Sequence, residues 1–227
     1  MKYPLLSLML PLLTLGTLSA TAQNYAKVLH VQDAAAYHQD ISKHPNHKLV
    51  EISKVIPGIA LDIRYATTNN FMHRRMYPQA RAFARQPVVK ALQQVEAELK
   101  PKGLGLKIFD GYRPYAITVD FFRMARDPNF VADPKVGSKH NRGCAVDLTL
   151  IDLKTGKEIS MPTGFDSFNA KAGANYPKLP SELIQHRELL KSVMQVHGFK
   201  VNRGEWWHYD FNGWKNYPLL DVPFSQL

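Results

Sequence analysis

The chain has 227 residues, 29 Lys and Arg against 19 Asp and Glu, a formal net charge of +10, and 45% hydrophobic residues. That apolar content excludes a disordered chain, and the single cysteine, Cys144, excludes an intramolecular disulfide frame. The basic residues are scattered, with His73-Arg74-Arg75 the densest cluster; an anionic partner such as a cell-wall polymer suits them, but no basic run interleaved with aromatics marks a nucleic-acid surface, so no nucleic-acid partner is expected.

Lys2, an apolar run over residues 5–18 and the small residues Ala20-Thr21-Ala22 predict a signal peptide, residues 1–22, cleaved near Ala22. The run is shorter than the ~20 apolar residues of a spanning helix. The mature chain is therefore expected to have no membrane span and to be exported, periplasmic or secreted. Residues 23–48 are polar and rich in His, Gln and Lys, which predicts an N-terminal surface helix or extended arm without chemistry of its own. The remainder, 49–227, is expected to form one domain.

Within it, 49–52 predicts a strand, 56–58 a turn, and 60–65 a half-buried strand by alternation. A polar loop (66–71) and a long loop without period (72–86) follow. Val88, Leu92, Val95 and Leu99 recur at helical spacing after Pro87, predicting a helix over 87–100. A buried strand (104–109), a turn (110–114), a helix (115–125) and a loop (127–136) come next. Small and β-branched residues at 143–151 predict a buried strand, with a hairpin turn at 152–157 leading to another strand near 157–161. The Gly-, Pro- and Asn-rich loop 162–180 is long enough to suggest function, as a lid for instance. A helix over 181–197, capped by Ser181 and stopped by Gly198, precedes a strand at 199–201, a turn at 202–204 and the β-prone run 205–211. The expected architecture is one α+β domain, a mostly antiparallel central sheet flanked by helices, with a metal site at the sheet surface.

The chemistry concentrates in residues 138–147. Strand parity puts Asp147 with Ala145 and Thr149 on one face, and Cys144 on the other. A carboxylate on so apolar a strand needs a partner, and His140 lies one turn away. His208, in Glu205-Trp206-Trp207-His208, supplies a third donor. Two imidazoles and one carboxylate with an open position make a catalytic zinc set. Glu205, opposite in parity to His208, suits a base beside the metal rather than a ligand. Arg113, after strand 104–109, suits a cation for a developing oxyanion. Each part taken alone has another reading. His208 can pack in the core, Asp147 can cap a turn or pair with Arg142, Glu205 can bridge to Arg203, and Arg113 can be a loop residue. Cys144 reads as a small buried hydrophobe.

Ser138-x-His140-x-x-Gly143-x-Ala145-x-Asp147 with Glu205-x-x-His208 resembles the zinc D,D-peptidases related to Hedgehog domains. Phe109-Asp110-Gly111-Tyr112-Arg113-Pro114, Tyr65-Ala66-Thr67-x-x-Asn70-Phe71 and Met161-x-Thr163-x-Phe165-Asp166 narrow the resemblance to the VanX-type D-alanyl-D-alanine dipeptidases, over roughly residues 50–211. The resemblance implies one zinc per chain on His140, Asp147 and His208, with Glu205 as general base and acid and Arg113 as transition-state cation. It also implies a small pocket for the termini of a D,D-dipeptide, lined by Tyr65, Asp110, Ser138 and Asp166. The role it implies for an exported member is turnover of cell-wall peptides rather than antibiotic resistance. A zinc D,D-carboxypeptidase or peptidoglycan endopeptidase, and a non-catalytic zinc-bearing binding module, remain the alternatives.

Overall fold

The structure is a computed structural model and describes residues 20–125 and 130–227. The apolar run of the expected signal peptide and part of the expected loop 127–136 lie outside the described residues. No described helix is long and apolar enough to cross a membrane.

The centre is a sheet built from β4 (Leu104–Asp110), β5 (Ala145–Asp152), β6 (Phe199–Asn202) and β7 (Glu205–Phe211), with the two-residue β2 (Ala60–Leu61) at one edge. The order is β2-β4-β5-β7-β6; β2 joins β4 in parallel and all other pairs are antiparallel. β5 lies in the middle, and each residue from Ala145 to Ile151 is buried, which is why its sequence reads as apolar on both faces. Helices α4 (Gln86–Leu99) and α6 (Ser181–Val196) pack on the sheet. α4 buries Val88, Val89, Ala91, Leu92, Val95 and Leu99, each large aliphatic contributing roughly 1.5–3 kcal/mol.

Four local expectations give way. β2 is shorter than the strand expected at 60–65, because the chain turns into a 3-10 helix at Arg64–Ala66. The loop expected over 72–86 contains β3 (Phe83–Arg85), which pairs with β1 (Leu49–Glu51) in a separate two-stranded sheet; a three-residue strand is too short to show a period. Residues 157–161 form only an isolated bridge, Ile151 to Glu158, after a turn in which Asp152 accepts hydrogen bonds from Thr155. α6 starts after Pro180 without a side-chain cap, so Ser181 does not cap it.

The N-terminal segment is docked rather than free. It forms α1 (Ala20–Val28) and α2 (Ala34–Lys43), the latter capped by Asp33 on the Ala36 amide at 2.9 Å. Tyr37 is buried, and its hydroxyl accepts from the Leu49 amide. Gln32 forms a parallel bridge with Leu220, so the segment lies against the C-terminal residues. The remaining helix, α3 (Ile52–Val55), follows β1, and α5 (Tyr115–Met124) follows β4.

Arg85 is fully buried and has no carboxylate partner among the described residues. It donates to the carbonyls of Arg142 at 2.7 Å, Pro218 at 3.2 Å and His47, and its guanidinium lies over the Tyr217 ring. One side chain thus joins the turn before β5 to both terminal segments. Arg85→Ala removes a donor from three carbonyls, of which that of Arg142 keeps only the weak Cys144 thiol at 3.5 Å, at about 1–3 kcal/mol each for a buried acceptor left unpaired. The expected loss is about 3–5 kcal/mol in urea unfolding, and a loss under about 1 kcal/mol would show that water substitutes for the guanidinium.

Candidate metal centre

Register assembles the site. Asp147 on β5 stands directly opposite His208 on β7. On the other side, β4 carries a bulge: Ile108 pairs with Leu148, but Asp110, two residues on, pairs with Asp147. The extra residue reverses the parity of β4 and brings Asp110 to the face of Asp147. His140 comes from a 3-10 turn, His140–Arg142, closed by Gly143 at φ 67°. That left-handed backbone strains any L side chain, and a Cβ there would collide with Leu49.

The three donor atoms form a nearly equilateral triangle. His140 Nε2 is 3.4 Å and His208 Nδ1 is 3.1 Å from Asp147 Oδ1, and the two nitrogens are 3.2 Å apart. A tetrahedral zinc with bonds of about 2.0–2.1 Å has ligand–ligand edges of about 3.3 Å. The partners behind the rings fix their tautomers. His140 Nδ1 donates to the Gly111 carbonyl at 2.7 Å, and His208 Nε2 donates to Asp210 Oδ1 at 2.9 Å. In the neutral rings, both inner nitrogens therefore present lone pairs to each other and to Asp147 Oδ1, a buried atom with no hydrogen-bond partner among the described residues. Only a positive charge makes that arrangement favourable. Burial works against a proton on His208, yet Asp147 and Asp210 raise its pKa to about 10. Burial would raise Asp147 as well, but the two imidazoles hold it below the usual carboxylate range. A divalent cation of the zinc class satisfies all three donors.

Around the triangle, Glu205 opens β7 where the β6–β7 register shifts, pairing with Asn202. The irregularity cancels the parity that would separate Glu205 from His208. Both line one cleft, with Glu205 Oε2 3.7 Å from His208 Nδ1 and accepting from Asn202 Nδ2 at 3.2 Å. Burial raises the pKa of Glu205; among its charged neighbours His208 pulls down and Asp147 pushes up. Arg113 lines the same cleft, over the rings of Tyr65 and Phe121. Its amide donates to the His140 carbonyl at 3.1 Å, and Asn141 Nδ2 donates to its carbonyl at 2.9 Å, so cation and metal turn are braced together.

The expectation for Asp110 is corrected. Its Oδ2 accepts from Arg113 Nε at 3.1 Å and Nη2 at 2.7 Å, and its Oδ1 accepts from Tyr77 and the Gly111 amide at 2.9 Å each. Both oxygens are committed, Asp110 is 1% exposed, and it stands behind Arg113 rather than in the cleft. Tyr65, Ser138 and Asp166 do line the cleft, which has a volume of about 610 Å³. Tyr65 donates to Asp166 at 3.0 and 3.2 Å, and burial pushes the Asp166 carboxyl well above its ordinary value, helped by the charge of Asp147. Ser138 Oγ accepts from the His140 amide at 3.2 Å. Loop 162–180 contributes Asp166 and Phe168 to the wall, while Phe165 stacks on Phe109 at 4.7 Å. Sequence reading passed over Asp210, Lys139 and Tyr77. The signal for Asp210 was present, since i and i+2 share a strand face and place it beside His208. Lys139 Nζ, 2.6 Å from Asp210 Oδ2, had no such signal.

The sequence matches the peptidase M15 family, described as D-ala-D-ala dipeptidase, over residues 45–225. It is 34% identical over 178 residues to a D-alanyl-D-alanine dipeptidase of Escherichia coli K12, covering 78% of this chain and 92% of that protein. It is 29% identical over 196 residues to one of Enterococcus faecalis, covering 76% and 92%, and 29% identical over 194 residues to one of Streptomyces coelicolor, covering 77% and 95%. Among solved structures, the D,D-dipeptidase VanXYg with a D-Ala-D-Ala phosphinate analogue aligns at a TM-score of 0.35 and 18% identity, over 72% of this chain and 66% of that one.

The carboxylate behind His208 gives a direct test of the centre. Asp210→Ala is expected to weaken divalent-metal affinity about 10–100-fold, read by competition with a chromophoric chelator. Unchanged affinity would remove Asp210 from the support of the site.

Proposed function

We propose, for a chain that belongs to the M15 peptidase family described as D-ala-D-ala dipeptidase, that it hydrolyses free D-alanyl-D-alanine to two D-alanines with one zinc ion on His140, Asp147 and His208. The observation that carries this is the Glu205 carboxylate beside the donor triangle, in a cleft that Arg113 also lines. A binding module has no need of a base at that position.

Zinc held by these donors would serve as a Lewis acid, able to lower the pKa of water towards ~7 and to polarise a carbonyl. The chain's residues do the rest. Glu205, raised in pKa by burial yet close to two imidazoles, accepts a proton from the attacking water and returns it to the departing amine as the C–N bond breaks. Arg113, fixed by Asp110 and by the backbone of His140, places a permanent positive charge where the scissile oxygen becomes negative. The hydroxyl of Tyr65 and the carboxyl of Asp166 offer the substrate ammonium a polar end wall, and Ser138 lines the same cleft. Gripping both termini favours a dipeptide over a longer stem. The apolar run ending at Ala20-Thr21-Ala22 supports action outside the cytoplasm, on dipeptide released in cell-wall turnover.

Glu205→Ala is expected to keep its zinc and lose hydrolysis about 100- to 10,000-fold; a wild-type rate would sink the mechanism. Arg113→Ala is expected to retain zinc and lose about 100- to 1,000-fold, and an unchanged rate would remove its role. Free D-Ala-D-Ala, its L,L diastereomer and a stem pentapeptide ending in D-Ala-D-Ala decide the substrate. The D,D-dipeptide should turn over fastest, and faster release from the pentapeptide would make the protein a carboxypeptidase instead.

A further inference from the structure

A second cluster of metal donors lies on the N-terminal segment, in residues expected to carry no chemistry. Asp40, on the last turn but one of α2, faces His44 one helical turn on and His47 at the end of the 3-10 turn Pro45–His47. His44 Nδ1 is 3.0 Å from Asp40 Oδ1, and His47 Nδ1 is 2.7 Å from Oδ2. One ligand atom from each residue falls within 4.8 Å of the others. The two imidazoles stack with centroids 4.9 Å apart at 27°.

The cluster is built rather than incidental. His44 ends α2 with its amide on the Asp40 carbonyl, and Pro45 then starts the tighter turn that brings His47 back over the same carboxylate. His47 is held on two sides: Tyr217 packs on its ring at 4.9 Å, and buried Arg85 donates to its carbonyl. Asp40 and His47 keep side-chain exposures of only 12% and 19%, whereas His44 is 59% exposed and free to adjust. The C-terminal end of α2 adds partial negative charge at the same place. The nearby Arg85 guanidinium is engaged by its three carbonyls. The cluster shares no residue with the His140, Asp147 and His208 group, and two of its three members, Asp40 and His44, precede the residues 45–225 that match the family.

We propose that Asp40, His44 and His47 bind a second divalent cation of the zinc class, through one carboxylate oxygen and both Nδ1 atoms, with water completing the coordination. One carboxylate and two imidazoles are a zinc donor set. Binding moves each ring proton from Nδ1 to Nε2 by exchange with water, so the rings bind as neutral ligands. The ion clips α2 to the turn that leads into β1. Its role is to hold the N-terminal segment on the domain.

The test uses the full chain, stripped with chelator and dialysed against micromolar Zn2+, with metal counted per chain. Wild type should hold two equivalents, and the Asp147→Ala/His208→Ala variant one. Adding His44→Ala to that variant should leave none and abolish the zinc-induced rise in Tm. In the otherwise unaltered chain, His44→Ala should reduce two equivalents to one with dipeptide hydrolysis unchanged. Because His44 is exposed, its removal spares the fold, and this arm decides the matter even if the catalytic variant does not fold. A wild-type count of one, or a count unaltered by His44→Ala, overturns the proposal.

Discussion

Two imidazole nitrogens and a carboxylate oxygen are held face to face, buried, with no hydrogen between them to share when both rings are neutral. That repulsive triangle is the constraint on which the rest depends. It persists because each corner is fixed from behind: Asp147 by the central strand, His208 by cross-strand register and Asp210, His140 by the Gly111 carbonyl. Left to relax, flexible side chains would turn their lone pairs to water. Here the frame spends folding energy on keeping them together. A cation recovers that cost, and its field reaches Glu205 at the mouth of β7.

The supporting layer divides into two polar systems that meet at Arg113. One runs from Tyr77 through Asp110 to Arg113 and fixes the guanidinium at the cleft wall. The other runs from Asn141 to Thr118, to the Ser138 amide and to the Arg113 carbonyl, fixing the turn that bears His140. Metal ligand and cation come from turns 27 residues apart in sequence, yet neither can shift without breaking hydrogen bonds of the other. Rigid spacing between an electrophile and an oxyanion partner is what acyl-transfer chemistry requires.

Most of the candidate centre is legible in the sequence because its logic is local. Parity along an apolar strand singles out Asp147, a glycine-closed turn offers His140, and an aromatic strand carries His208. The regular helices were legible for the same reason, the stripe Val88, Leu92, Val95 and Leu99 most plainly. What escaped depends on pairing partners that no single segment encodes. The bulge at Phe109 decides that Asp110 backs Arg113 instead of meeting substrate, and it exists only relative to β5. β3 is a strand only because β1 lies beside it, and the strand expected near 157–161 fails because its pairing stops at one bridge. The docking of the N-terminal segment rests on Tyr37, buried in a mostly polar stretch, and on the bridge from Gln32 to Leu220, which no local pattern announces.

The pairing of the C-terminal residues with the metal turn also bears on how the molecule comes into being. The Leu220 amide is bonded to the Asn141 carbonyl, the Tyr217 carbonyl to Arg142, and Pro218 to Arg85. Every donor atom of the candidate centre lies at or before His208 in sequence, but the brace for its turn comes from residues 217–220. A nascent chain that stops between the two holds the full set of ligands and lacks the frame that aims them. Contacts so remote along the chain close late in folding, so the turn that bears His140 is aimed only once residues 217–220 are in place.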